Sequence, residues 1–257
     1  GKIQMPQCSR RLLLLIGISC VVGSVAACQQ AAAPSLAPTA PPVGITLLSE
    51  AIAAGAPSAQ QPVTLAGYVF ATTQGLTFVS RVAFGPEGSA LPAEPAVVRV
   101  WLGEQNSVKH SLQLRTAGGV QYAPALVRGV LEGPGRYGPA GAYTYQMSTP
   151  AIEAWSPVET TVGELLDQPQ AYVGRLVRIN GGLLVRDGVG LLVDRLGPGG
   201  IPEQKARQIK LRGAINEEAL LAHLKRSAGG LVYFGQVQVE GVVRAGLLVP
   251  LAIIPVQ

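Results

Sequence analysis

The sequence has little charge and few of the side chains that carry out chemistry. Only 14% of its 257 residues are charged and 5% are aromatic, and it contains two histidines and three cysteines. No G-x-S-x-G nucleophile motif occurs, and no cysteine or acidic cluster stands at metal-ligand spacing around His110 or His223. The glycine-rich segment at residues 133–141 lacks the GK[ST] ending of a phosphate-binding loop. We therefore expect no catalytic activity, no metal and no cofactor.

Long apolar runs are also scarce, and the most marked one lies near the start of the sequence. Two arginines precede residues 12–27, a stretch of 16 residues without charge, which is shorter than the about 20 that a membrane-spanning helix needs. A positive start, a short apolar middle and small residues at the end are typical of a secretory signal. The alternatives are an uncleaved signal anchor and a buried helix.

The end of this run is more specific. It reads VAAC and finishes at Cys28, which resembles the lipobox of bacterial lipoproteins. The resemblance implies that residues 1–27 are a signal peptide that is cut away, and that the thiol of Cys28 carries a diacylglyceryl group. It also implies a lipid anchor with acyl chains such as palmitate. Gln29, rather than Asp, follows Cys28, which by the same resemblance favours the outer membrane where a cell has one and otherwise implies the outer face of the plasma membrane.

Removal of the signal peptide changes the balance of charge and of cysteine. The formal charge of +5 falls to +2, because 17 basic and 15 acidic residues remain. A nucleic-acid-binding protein usually carries a strong basic footprint, which is absent here. Only Cys28 is left of the cysteines, so a disulfide within the chain is excluded. Residues 28–44 are rich in Ala and Pro and uncharged, which predicts an extended tether.

The remainder of the chain contains an internal repeat. Residues 63–67 (VTLAG) match residues 177–181 (VRING) at an offset of 114 residues. Further matches follow in the same order, pairing residues 48–52 with 162–166, 75–81 with 189–195, 127–131 with 239–243, and 150–152 with 251–253. We interpret them as two copies of one domain, residues 45–155 and 156–257. The alternative is two unrelated β domains with similar Val and Gly patterns.

The second copy is the easier one to interpret. Its first part predicts a short helix that starts near Thr161 and ends before Pro169. The rest predicts three strands with a tight turn at Asp187-Gly188, then a helix that Asn216 caps and Gly229 terminates, then two more strands. This is the order of an OB-fold, a small five-stranded barrel. We expect a mainly β protein with two tandem OB-like barrels, the second with a helix between strands 3 and 4. In the first copy, residues 104–119 show no apolar stripe and predict a loop or an irregular strand.

OB-folds bind ligands on the face of strands 2 and 3, and loops rich in aromatic residues often contact proteins. The candidate ligand- or partner-binding residues on these grounds are Arg81, Trp101, Tyr137, Tyr143, Arg195, Lys210 and Arg212. Arg81 and Arg195 hold equivalent positions in the two copies. Their alternative interpretation is a solvated arginine at a strand end, paired with a carboxylate such as Asp194. Trp155, between the copies, is expected to pack at their interface.

Together these features favour a lipid-anchored, extracytoplasmic binding or scaffold protein without catalytic activity. We expect its partners to be other envelope proteins, as in an accessory subunit of an envelope complex. The alternative is an OB-type binder of single-stranded nucleic acid or polysaccharide. Single-strand binding requires aromatic stacking platforms and a cationic groove, and the chain is poor in aromatic residues and nearly neutral.

Overall fold

The computed structural model describes residues 45–55, 61–85, 87–93, 98–104 and 111–256. Within these residues the chain is mainly β and forms two closed five-stranded barrels, which confirms the expected fold class. Residues 1–44, with Cys28, and the segment with His110 lie outside the described residues, so the lipid anchor stays a prediction. No helix in the described part of the chain is long and apolar enough to cross a membrane.

The first copy supplies a short leading strand and helix, five barrel strands, and three extra short strands. Its elements are β1 (Thr46–Leu47), α1 (Leu48–Ala53), β2 (Pro62–Ala71), β3 (Leu76–Val79), β4 (Val82–Phe84), β5 (Ala90–Pro92), β6 (Arg99–Gly103), β7 (Arg115–Ala117), β8 (Val120–Glu132) and β9 (Tyr145–Ala154). The barrel closes in the order β2-β3-β6-β9-β8-β2, with only the β6–β9 pair parallel. The described part of residues 104–119 holds a turn and β7, in line with the expected irregular segment.

The second copy repeats this plan and adds the expected helix. Its elements are β10 (Val158–Thr160), α2 (Val162–Asp167), α3 (Pro169–Tyr172), β11 (Leu176–Arg186), β12 (Val189–Val193), β13 (Gln208–Ala214), α4 (Glu218–His223), β14 (Lys225–Arg226), β15 (Tyr233–Arg244) and β16 (Leu247–Pro255). The barrel closes as β11-β12-β13-β16-β15-β11, again with one parallel pair, β13–β16. The strand order of the two barrels is therefore the same.

The two copies also share their strand register. Thr46 of β1 lies opposite Leu65 of β2, and Thr160 of β10 lies opposite Ile179 of β11, each 114 residues later. The first barrel strand of each copy carries a glycine at the same position: a Cβ on Gly181 of β11 would lie 2.7 Å from the carbonyl oxygen of Val193. Gly67, its equivalent, faces the carbonyl of Val79 in the same way. Only glycine allows the backbones to approach so closely in a barrel this small.

The helices of the second copy were predicted with unequal success. α2 begins as expected at Thr161, whose hydroxyl accepts a hydrogen bond from the Glu164 backbone in a capping box. The prediction that Asn216 caps α4 and Gly229 ends it is wrong, because α4 covers only Glu218–His223. Lys225 and Arg226 instead pair with β15 as β14. Strand pairing and the burial of Leu224 in the barrel core override the helix propensity of this segment.

A hairpin from the first copy joins the two barrels. β4 and β5 leave the first copy between β3 and β6, and β4 pairs in parallel with β16, with Val82 opposite Ala252. An apolar cluster beside this contact contains Phe84 and Tyr122 of the first copy, Leu251 of the second, and Trp155. The burial of Trp155 in this cluster confirms its expected packing at the interface.

Candidate functional site

Trp101 and Lys210 occupy equivalent positions in the two barrels. Trp101 lies on β6 opposite Thr77 of β3, and Lys210 lies on β13 opposite Leu191 of β12. Thr77 and Leu191 are themselves equivalent at the offset of 114 residues. Both candidates therefore stand on the outer face of barrel strands 2 and 3, where the sequence placed them. This shared position allows the same face to be compared in two barrels of one chain.

In the first barrel this face is covered by the chain itself. Residues 133–144, which connect β8 to β9, fold over it, and the ring centroids of Tyr143 and Trp101 are 5.1 Å apart. The Tyr143 hydroxyl is 2.8 Å from the Thr77 hydroxyl, with which it shares a hydrogen bond. Tyr137 pairs with Tyr143 through backbone hydrogen bonds of 2.9 and 3.1 Å. The structure thus brings Trp101, Tyr137 and Tyr143 together, as a cluster that packs on itself.

In the second barrel the same face is open. The connection between β15 and β16 is a turn of two residues, so it does not cover strands 2 and 3 as its equivalent does in the first barrel. Val189 is 45% exposed, Leu191 is half-buried, and Lys210 and Arg212 are exposed. Neither Lys210 nor Arg212 has an ion-pair partner in the part of the chain that the structure describes. We call Val189, Leu191, Lys210 and Arg212 the open face.

Arg81 and Arg195 do not belong to the open face. The guanidinium of Arg81 lies 2.6 Å from the carboxylate of Glu217 and so forms an ion pair between the two copies. Arg195 stands on an exposed loop, donates a hydrogen bond of 3.3 Å to the carbonyl of Lys205, and lies 3.9 Å from Asp194. The two arginines are equivalent in sequence, but their surroundings differ. Arg195, exposed beside Asp194, fits the alternative interpretation of a solvated arginine, whereas Arg81 is part-buried at the contact between the copies.

A buried carboxylate links the barrels, and sequence reasoning missed it. Glu240 on β15 is 0% exposed and accepts hydrogen bonds from the Tyr68 hydroxyl of the first barrel, from Arg115 on β7 at 2.6 Å, and from Arg178 on β11 at 2.7 Å. Arg178 also donates a hydrogen bond of 2.7 Å to Glu159. Two guanidinium groups and a hydroxyl thus satisfy one buried negative charge. The available signal was a single Glu inside the apolar strand VQVEGVV.

The polar cluster around Glu240 also alters the acid–base behaviour of two tyrosines. Burial first, and then the negative charge of Glu240, raise the pKa of Tyr68 well above its ordinary value. Burial likewise raises the pKa of Tyr122, although the nearby Arg115 guanidinium opposes this effect. Both hydroxyls therefore keep their protons at neutral pH. The cluster is organised to hold the two barrels together.

Across the described residues, no group of three or more His, Cys, Asp or Glu side chains is placed to hold a metal ion. His223 lies at the end of α4, with its Nδ1 atom 2.7 Å from the carbonyl of Ala219.

No protein-family model, curated protein or solved structure matches the chain. The open face is therefore assessed on its own geometry and chemistry.

Proposed function

We propose that this protein is a lipid-anchored, extracytoplasmic scaffold that holds a partner protein on the open face of its second barrel, as an accessory component of an envelope complex. The observation that carries the proposal is the difference between the two barrels. One chain covers strands 2 and 3 of its first barrel with its own aromatic loop and leaves the equivalent face of its second barrel exposed.

The chemistry of the open face suits a protein partner. Val189 and Leu191 form an apolar centre, and Lys210 and Arg212 stand beside it with no carboxylate neutralising them within the described chain. Protein interfaces combine an apolar core with a polar rim and are enriched in arginine. A partner that matches this face presents aliphatic side chains next to Asp or Glu.

The rest of the molecule supports a scaffold role. The β4–β16 pairing, the shared apolar cluster, the Glu240 network and the Arg81–Glu217 ion pair connect the barrels. A partner that binds the second barrel is therefore attached to both barrels together. The expected tether of residues 28–44 would keep that body within several nanometres of the membrane, at about 3.1 Å for each extended residue.

A second candidate function is the binding of an acidic polymer, which the unpaired Lys210 and Arg212 favour. Single-stranded nucleic acid also needs aromatic side chains on which bases can stack. The open face offers none, and Trp101, on the equivalent face of the first barrel, packs against Tyr143 with the two rings tilted by 41°. We therefore prefer the protein partner.

Crosslinking of the membrane-anchored protein in its native cells, followed by mass spectrometry, tests the proposal. We expect a defined set of envelope proteins that is lost in the Lys210→Glu variant and kept in Arg128→Glu, which changes an exposed arginine on β8. We also expect an N-terminal peptide that starts at a lipid-modified Cys28. Recovery of nucleic acid or glycan with salt-sensitive binding would favour the polymer instead. A peptide that retains residues 12–27 would contradict the anchor.

A further inference from the structure

A separate cavity of about 810 Å³ lies beside the connection between β12 and β13. Its walls come from this loop, from the end of α4, from β14 and β15, and from Val256, which follows β16. The side chains that define it are Leu196, Pro198, His223, Lys225, Phe234 and Val256. No residue of the open face lines this cavity, so it is a second surface with its own chemistry.

The connection between β12 and β13 packs onto the barrel and so forms one wall of the cavity without any ligand. A Cβ on Gly182 would lie 2.5 Å from the Cβ of Leu196, and a Cβ on Gly200 would lie 2.5 Å from the Phe234 ring. The loop and the strands can approach this closely because each contact has a glycine on one side, Gly182 in β11 and Gly200 in the loop. The Gly197 amide also donates a hydrogen bond of 2.9 Å to the carbonyl of Ile201, which closes the loop on itself.

The polar groups of the cavity favour a negative ligand. Lys225 is exposed and is the lining residue with a full charge, and the other long polar side chain of the lining, Gln236, is neutral. Glu203 lies in the loop itself, where its side chain is beside Gly197, and it does not line the cavity. The neighbouring Arg226 is held over the ring of Tyr233, 4.8 Å from its centroid. His223 adds a hydrogen-bonding group, because its Nδ1 donates to Ala219 and its other ring nitrogen has no partner among the described residues.

We propose that this cavity binds a small amphipathic anion, namely an aliphatic carboxylate. The chain of the ligand lies on Leu196, Pro198, Phe234 and Val256, and its carboxylate meets the ammonium group of Lys225. Sites for small ligands are concave, mainly apolar, and about 300–1,000 Å³ in volume, with a few polar groups that orient the ligand. This activity goes beyond partner binding on the open face, since the two surfaces share no residue.

Titration of decanoate into the mature chain, residues 28–257 with Cys28→Ser so that no attached acyl chain competes, tests the proposal. We expect saturable binding by calorimetry, with amide shifts of Gly197 and Gly235 in NMR spectra. Decyltrimethylammonium, which has the same chain and a positive charge, should bind at least fivefold more weakly. Lys225→Gln should weaken decanoate about two- to fivefold, as expected for one exposed ion pair.

Position 256 provides a sharper pair of variants, because Val256 is 52% exposed and its replacement should leave the fold intact. Val256→Asp should remove decanoate binding by repulsion, whereas Val256→Lys should retain it. Lys210→Gln, on the open face, is the matched control and should bind decanoate normally. Equal affinity for both probes, or decanoate binding that both Lys225→Gln and Val256→Asp leave unchanged, would overturn the proposal. Neither result would affect partner binding, which is measured at Lys210.

Discussion

Removal of the carboxylate of Glu240 should weaken the contact between the two barrels and lower the free energy of unfolding. The Glu240→Ala variant takes away the acceptor for Tyr68, Arg115 and Arg178 and leaves two guanidinium groups without this partner. Truncation of one member of a buried ion pair costs about 3–5 kcal/mol. The side chains of Arg115 and Arg178 are 28% and 22% exposed and can regain some water. We therefore expect a loss in the free energy of unfolding near the lower end of this range, about 3 kcal/mol.

Urea unfolding of residues 28–257 measures this loss, and Glu159→Ala is the matched control. Glu159 bonds the same Arg178, but its side chain is 62% exposed, so its removal should cost less than about 1 kcal/mol. A double-mutant cycle between Glu240→Gln and Arg115→Met tests the contact between the copies directly, and the two changes should couple by about 0.5–3 kcal/mol. Equal losses for Glu240→Ala and Glu159→Ala, together with additive changes in the cycle, would refute the reasoning.

Three further predictions concern pH, a glycine and the covered face. Because the pKa of Tyr68 is raised above its ordinary 10.0, the stabilisation from its proton is complete below pH 10 and is lost as pH rises beyond it. The free energy of unfolding should therefore fall above pH 10, and it should fall less steeply in Tyr68→Phe. Equal slopes in the two proteins would contradict this prediction. Gly181→Ala should cost about 1–3 kcal/mol in urea unfolding, whereas Gly229→Ala, where a Cβ meets nothing within 4 Å, should change stability by less than about 0.5 kcal/mol. Tyr143→Ala, measured in a Trp155→Phe background, should increase the acrylamide quenching of Trp101, and unchanged quenching would show that Tyr143 does not shield it.

The barrels and their strand order could be predicted from the sequence because their determinants are local. Alternating apolar residues define the strands, and Asp187 and Gly188 both adopt positive φ in the turn that the sequence predicted. The repeated segments fall on equivalent elements with one register, since the burial of one strand face fixes that register. Fold class followed from these signals.

The contacts between the copies could not be predicted, because they join residues far apart in the chain. Glu240 lies 172 residues from Tyr68 and 125 from Arg115, and no local pattern relates them. α4 ends at His223 because Lys225 and Arg226 find a strand partner in β15, which only the tertiary fold provides. The different surroundings of Trp101 and Lys210 have the same cause. Trp101 is covered by Tyr143, which lies 42 residues further along the chain, whereas Lys210 is exposed.

The binding of a partner protein to the open face of the second barrel can be measured in native cells with a photo-reactive amino acid at Val189, which is 45% exposed. The same probe at Glu153, exposed on β9 of the first barrel, is the control. We expect protein adducts of defined mass at position 189 and none at position 153. Adducts at position 153 alone, or no protein adduct at position 189, would contradict the proposal.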